Sequence, residues 1–262
     1  MKQRTFLKVA KDMFWVQMSW AFGFLGIMLA INIFKIIRAT IQGNGVDNYY
    51  NSVFVAANIF MLVIGIISIY FLPHYVENGV TRKDYFKGTF IASLGLSVIV
   101  PIITISISTL QLFILKNIDK ISFKEADINS IVSEINLDIG DMISDAVTTI
   151  ILTPYVDPQS NWMLAIGIFS LNIFIYYLIG WLISASFYRF DTLTGLGFIL
   201  IAFIILTFED TLLRISLDLP VASRFSILES LPFGVTVLGI LFLILVSIWI
   251  IRTLTKSVTI KI

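Results

Sequence analysis

The chain has 262 residues, 58% of them hydrophobic and only 13% charged, with a formal net charge of +1 and a mean hydropathy of +0.94. That balance places it among all-α polytopic membrane proteins and leaves no basic surplus for nucleic acid. It contains no cysteine, which excludes disulfides, thiolate metal sites and thiol nucleophiles together.

Residues 1–14 carry Lys2, Arg4, Lys8 and Lys11 against one acid, Asp12. Phe6, Leu7, Ala10, Met13 and Phe14 fall near one helical face, with the lysines mostly on the other. This pattern predicts a basic amphipathic helix lying in the membrane interface. A plain basic flank anchoring the first span is the alternative. The apolar run Met13 to Phe34 exceeds the core of a signal peptide and no small-residue cleavage site follows it, so a retained span is expected at 15–34.

Lys35 and Arg38 mark the far end of that span, and a polar, turn-rich loop follows from Gln42 to Asn48. Val53 to Leu72 and Thr89 to Leu115 are uncharged and long enough to cross, since about 20 apolar helical residues suffice. Pro73 should end the second span, and Pro101 should kink the third by removing a backbone hydrogen bond. Spans one to three thus occupy 15–115.

Between spans two and three lies an elbow, residues 74–88, reading HYVENGVTRKDYFKG. Its charges are Glu77, Arg82, Lys83, Asp84 and Lys87, a basic excess that favours the cytoplasmic side. Asn78-Gly79 signals a turn, and Thr81 can cap a short helix starting at Arg82, with Tyr85 and Phe86 exposed near its tip.

Residues 116–161 hold eight acids against Lys116, Lys120 and Lys124. Ile128, Ile131, Val132 and Ile135, then Ile139, Met142, Ile143, Ala146, Val147, Ile150 and Ile151, repeat at three-four spacing. Two amphipathic helices joined near Asn136 are predicted, forming a small extracellular helical subdomain.

The region 162–262 holds spans four (Trp162 to Phe187), five (Leu193 to Phe208) and six (Leu231 to Ile251). Span five is short and stops at Glu209-Asp210, expected to cap it in water because a buried charge is costly. The half-apolar piece from there to Ser230 fits short outer half-helices. So delimited, the spans carry no charge. Thr104, Ser106, Ser108 and Thr109 follow Pro101, and either line a passage or hydrogen-bond between helices. Gly23/Gly26 and Gly234/Gly239 suit close helix packing. Tryptophans and tyrosines, among them Trp15, Tyr49, Tyr50, Trp162, Trp181 and Trp249, mostly flank spans, as interfacial belts require.

With six spans both termini share a side. Placing them inside puts Lys2, Arg4, Lys8, Lys11, Arg82, Lys83, Lys87, Arg189, Arg252, Lys256 and Lys261 there, eleven of the 18 Lys and Arg residues. A multi-pass protein of the bacterial cell membrane with cytoplasmic termini is expected.

The string ENGVTRKDYFKG between spans two and three resembles the first cytoplasmic loop of ABC-2 type transporter permeases of Gram-positive bacteria. Span order and spacing extend the resemblance over most of the chain, while the residue match is confined to this loop. It implies that Glu77, Asn78, Gly79, Val80, Thr81, Arg82, Lys83, Asp84, Tyr85 and Phe86 form a coupling helix docking on a separate cytoplasmic ATPase. Two permease copies and two ATPase copies are implied, with ATP and Mg held by the ATPase. Outer half-helices between spans five and six are also usual in that family. Six spans with an extra outer part resemble, more narrowly, permeases that export amphipathic peptide toxins, the phenol-soluble modulins.

The chain has no GxxxxGK[ST] run to hold phosphates and no HExxH, and its one histidine, His74, sits at a span end. No catalytic or metal site is therefore expected of it. Pro101, Thr104 and Ser108 are the candidate pathway residues. A non-transporting sensor or immunity protein, using the acidic outer subdomain to bind a ligand, is the reading from a different class.

Overall fold

The computed structural model describes residues 5–42, 48–115, 153–221 and 223–256. Among them the chain is helical throughout, without a strand: α1 (Thr5–Gln42), α2 (Tyr49–Ser68), α3 (Phe71–Glu77), α4 (Arg82–Leu115), α5 (Trp162–Arg189), α6 (Thr192–Ser216), a 3-10 helix (Ser223–Ser230) and α7 (Phe233–Lys256). Six of these stretches are long and apolar enough to cross a bilayer, α2 and α3 counting as one. The chain is a multi-pass membrane protein. Residues 116–152, most of the expected outer subdomain, lie outside the described residues.

The bundle is built around α5. Every residue from Asn172 to Leu182 is buried, as expected of a helix apolar on all sides. α2, α4, α6 and α7 pack on it, and α1 lies along α4. Burial against lipid brings no hydrophobic gain, so packing density decides which helices stay together. α2 and α5 meet backbone to backbone. A Cβ built on Gly65 would overlap the Tyr177 carbonyl oxygen, and one built on Gly180 the Leu62 carbonyl oxygen. The expected small-residue contacts lie elsewhere: Gly23, Gly26 and Gly234 face open space, and Gly239 meets only the Leu212 side chain.

The outer faces are apolar too. Leu238, Phe242, Leu245 and Trp249 form an exposed stripe on α7, and Trp15 and Phe22 stand out from α1. Such a stripe suits lipid rather than water. Trp15, Trp162 and Trp249 are exposed as a belt requires, but Tyr49, Tyr50 and Trp181 are fully buried.

Among the described residues of 1–14, which begin at Thr5, no separate interfacial helix is seen. From Thr5 onward the chain enters α1, a single 38-residue helix, because one packed face runs through its whole length. Val9, Ala10 and Met13 are buried in register with Gln17, Ala21, Leu25 and Asn32. Lys8 and Lys11 face outward, Phe6 lies beneath the Lys87 ammonium (5.7 Å to the ring centre), and Phe14 packs beside Gly95. At the opposite end Asn32 accepts a hydrogen bond from Gln111, whose side-chain oxygen accepts from the Tyr49 amide.

Span five is also longer than expected. α6 continues through Glu209 and Asp210 to Ser216, since Leu212, Leu213 and Ile215 extend its apolar surface. It ends where Asp218 adopts a left-handed conformation (φ 54°) and the Leu219 amide bonds back to the Arg214 carbonyl at 2.9 Å. Aspartate tolerates that conformation better than most residues. One 3-10 helix stands in place of the expected half-helices.

Gly180→Ala should cost at least about 1–3 kcal/mol through overpacking. A lower thermal midpoint in detergent checks this, with Gly23→Ala, which meets open space, unchanged.

Candidate functional site: a latched elbow and a buried charge cluster

The elbow begins with a helix break. Pro73 has no amide hydrogen and its ring would clash with the carbonyl of Ile69, so α2 stops at Ser68 and α3 starts at Phe71. Two tight bonds carry the chain across, Tyr70 amide to Ile67 carbonyl and Leu72 amide to Ile69 carbonyl, each 3.0 Å. Pro73 therefore opens a short helix as well as closing a span.

α3 ends in a Schellman turn. The Val80 amide donates to the Tyr75 carbonyl (2.9 Å) and the Gly79 amide to the Val76 carbonyl (3.0 Å), with Gly79 at φ +79°. Thr81 then caps α4: its hydroxyl oxygen accepts from the Asp84 amide (3.1 Å) and its hydroxyl donates to the Asp84 carboxylate (2.9 Å). The cap and the turn match expectation. The short helix from Arg82 does not, because it is the first turn of α4 and continues unbroken to Leu115.

Tyr85 and Phe86 are not exposed at the tip. Tyr85 is fully buried, and its hydroxyl donates to the Ser68 carbonyl at the end of α2. Its ring meets Tyr75 and Trp181 edges, with centroids 5.8 and 6.5 Å away. Phe86 is half-buried, stacked obliquely on Trp181 at 5.4 Å and covered by the Arg252 guanidinium at 5.3 Å. One turn into a helix these side chains point back toward the bundle, where α5 offers an aromatic wall. His74, Glu77, Asn78, Gly79, Thr81, Lys83 and Lys87 remain exposed, and Val80, Arg82 and Asp84 are half-buried.

A polar cluster sits directly behind this elbow. Gln17 of α1 donates to Ser68 Oγ (2.9 Å) and Tyr177 Oη (3.0 Å). Ser68 donates to the Ile64 carbonyl (2.9 Å), which leaves the Tyr177 hydroxyl to donate to Ser68 Oγ at 2.6 Å. Tyr75 adds a bond to Asp12 of α1 at 2.5 Å. With Tyr85 of α4 on the Ser68 carbonyl, helices α1 to α5 are tied together here. Sequence reading had Gln17, Ser68 and Tyr177 on three different spans and no signal to join them.

On the same side, the turn between α5 and α6 carries Asp191. The Thr194 hydroxyl donates to its carboxylate at 2.6 Å, which holds that exposed carboxyl below its usual range. Arg189 donates to the Thr253 carbonyl at 2.5 Å and so fastens this turn to α7.

The candidate pathway residues are placed but not opened. Pro101, Thr104 and Ser108 are buried within a continuous α4. Thr104 bonds its own helix at the Val100 carbonyl (2.9 Å), as Ser93 and Ser97 bond theirs, so these hydroxyls do not bridge helices.

Near the other end of α6 the spans do carry charge. Glu209, Asp210 and Arg214 are all buried, at 1%, 7% and 4% exposure. Arg214 Nε donates to Asp210 Oδ2 at 2.8 Å, an i,i+4 pair. The expected water-exposed cap is thus a cluster buried within the protein. That i,i+4 spacing inside an uninterrupted apolar pattern was the available signal.

Tyr85→Phe deletes the bond to Ser68, a net loss of about 1 kcal/mol. Faster amide hydrogen exchange at residues 69–72, with α6 and α7 unchanged, is the expected outcome. No protein-family model matches the chain, and no curated protein or solved structure shows significant similarity to it.

Proposed function

We propose that the chain is the permease subunit of an ATP-driven ABC exporter in a bacterial cell membrane, with both termini in the cytoplasm. The elbow docks on a separate cytoplasmic ATPase that binds ATP and Mg, and two permease copies sit above two ATPase copies. The observation that carries this reading is the anchorage of the elbow. A loop with an exposed polar tip is joined behind that tip to α1, α2, α5 and α7 through Tyr75, Tyr85 and Phe86. Such a part passes a displacement into the bundle instead of absorbing it. A flexible loop could not do so.

The burial of Tyr85 and Phe86 changes which residues meet the ATPase. Val80 becomes the apolar contact at the tip, with Glu77, Asn78, Thr81 and Lys83 around it as a polar rim. Tyr85 and Phe86 act one step behind, as the transmission. Movement of this kind needs elbow contacts that differ between the two ATPase states.

Amphipathic peptides are the proposed cargo because six spans with an extra outer part resemble permeases that export such peptides. Charge carries no argument for an apolar cargo, because Glu209, Asp210 and Arg214 lie buried within α6.

Two measurements test the proposal. Single substitutions Lys83→Cys and Gln159→Cys, in a chain with no cysteine of its own, should label from opposite membrane faces with an impermeant reagent. Affinity purification of the intact protein should bring an ATPase with it, and Val80→Asp should lower that recovery about tenfold, equivalent to about 1.4 kcal/mol. Labelling from one face, or purification without any ATPase, overturns the reading.

A further inference from the structure

The α6 cluster has one charge too many. Asp210 and Arg214 neutralise each other across 2.8 Å. Glu209 has no such partner: it is 1% exposed and its Oε1 makes no hydrogen bond. Its side chain lines a crevice between three helices, formed by Ile175 and Leu178 of α5, Ile205 of α6, and Leu243 and Ser247 of α7. The crevice leaves no room for a water molecule.

Among the described residues, the neighbours of Glu209 offer no compensating charge. On its own helix stand Asp210, of like sign, and Arg214, already bonded to Asp210. From α5 Tyr176 is within electrostatic reach of both acids. α7 contributes Ser247, whose hydroxyl is spent on the Leu243 carbonyl at 2.8 Å. The 3-10 helix, packed on α6 through Phe225 and Phe208, carries an exposed Glu229. One turn outward from Tyr176 on α5, Asn172 is fully buried with both side-chain polar atoms unbonded.

An ionised carboxylate without a partner in an apolar wall costs several kcal/mol or more, so it is neutralised or hydrated. A metal cation would need several oxygen ligands, and no group of three metal-ligating side chains occurs among the described residues. The ligand that fits a crevice too narrow for water is a proton. We propose that Glu209 is a proton-binding site, and that release of the proton opens the α5–α6–α7 crevice to solvent. The step is a simple dissociation: the carboxyl O–H breaks, the proton passes to water, and the carboxylate left behind requires hydration that the closed packing denies it. This inference stands apart from ATPase docking, since it concerns α6 and α7 at a different level of the bundle from the elbow latch.

Infrared difference spectroscopy of the whole protein in detergent tests the first half. At neutral pH a C=O stretch of a protonated carboxyl is expected, absent from Glu209→Gln. Uniform 13C-glutamate labelling of the unmutated protein shifts the same band and needs no substitution to fold. The second half is read from Ser247→Cys, labelled with a small hydrophilic thiol reagent in the presence of either Glu209 or Glu209→Gln. The ratio of the two labelling rates cancels the titration of the thiol itself. It should rise at least about threefold as the pH is raised from about 6 to about 9, the range in which buried carboxyls are known to release protons. Absence of a glutamate carboxyl band at neutral pH overturns the site, and a flat ratio overturns the opening.

Discussion

Everything in this bundle depends on how closely α2 and α5 approach. At Gly65 and Gly180 the two backbones touch, each with a carbonyl of the other helix where a side chain would otherwise stand. In lipid this contact cannot be replaced by general hydrophobic attraction, because the tails are as apolar as the side chains. The contact fixes the level at which Ser68 meets Tyr177, and so the level at which Gln17 can reach both. It also presents Trp181, one residue beyond Gly180, to Tyr85 and Phe86. The polar cluster and the aromatic wall are consequences of a missing pair of side chains.

The elbow owes its stiffness to the same arrangement. Its two ends are closed by local hydrogen bonds, the Schellman turn on one side and the Thr81 cap on the other. Tyr75, Tyr85 and Phe86 then turn inward, so the exposed surface is polar, with Val80 half-buried beside it. Under the proposed docking, such a face associates through shape and charge, and releases more readily than one anchored by two buried rings. An elbow that engages differently in two states, as proposed, is served by weaker attachment outside and firm attachment inside.

Six spans, their approximate bounds, the turn at Asn78-Gly79 and the cap at Thr81 were legible in the sequence. Long apolar runs and turn chemistry are local signals, and they survive folding. What failed was local inference carried past its range. The sequence places Tyr85 in a charged loop, but a helix's first turn shares its inner face with the rest of that helix. The break at Phe14 was judged by a change in charge, but the buried face of α1 ignores it. Glu209 and Asp210 were judged by the general cost of burying charge, and Arg214 four residues on met part of that cost. Gly65 and Gly180 were indistinguishable in sequence from Gly23 and Gly26, since only the partner helix decides which glycine is crowded.

α1 and α4 share a further property. With 38 and 34 residues they measure about 57 and about 51 Å at 1.5 Å per residue, against a hydrocarbon core of about 30 Å. Their contacts run from Val9 beside Gly88 to Ile36 and Ala39 beside Leu115, so neither can slide on the other. The two form a strut taller than the membrane, which meets the mismatch by tilting or by standing proud of the surface. Since the elbow sits at the foot of α4, bilayer thickness sets how far it reaches from the lipid. A thicker membrane would draw it inward, and a thinner one would push it out.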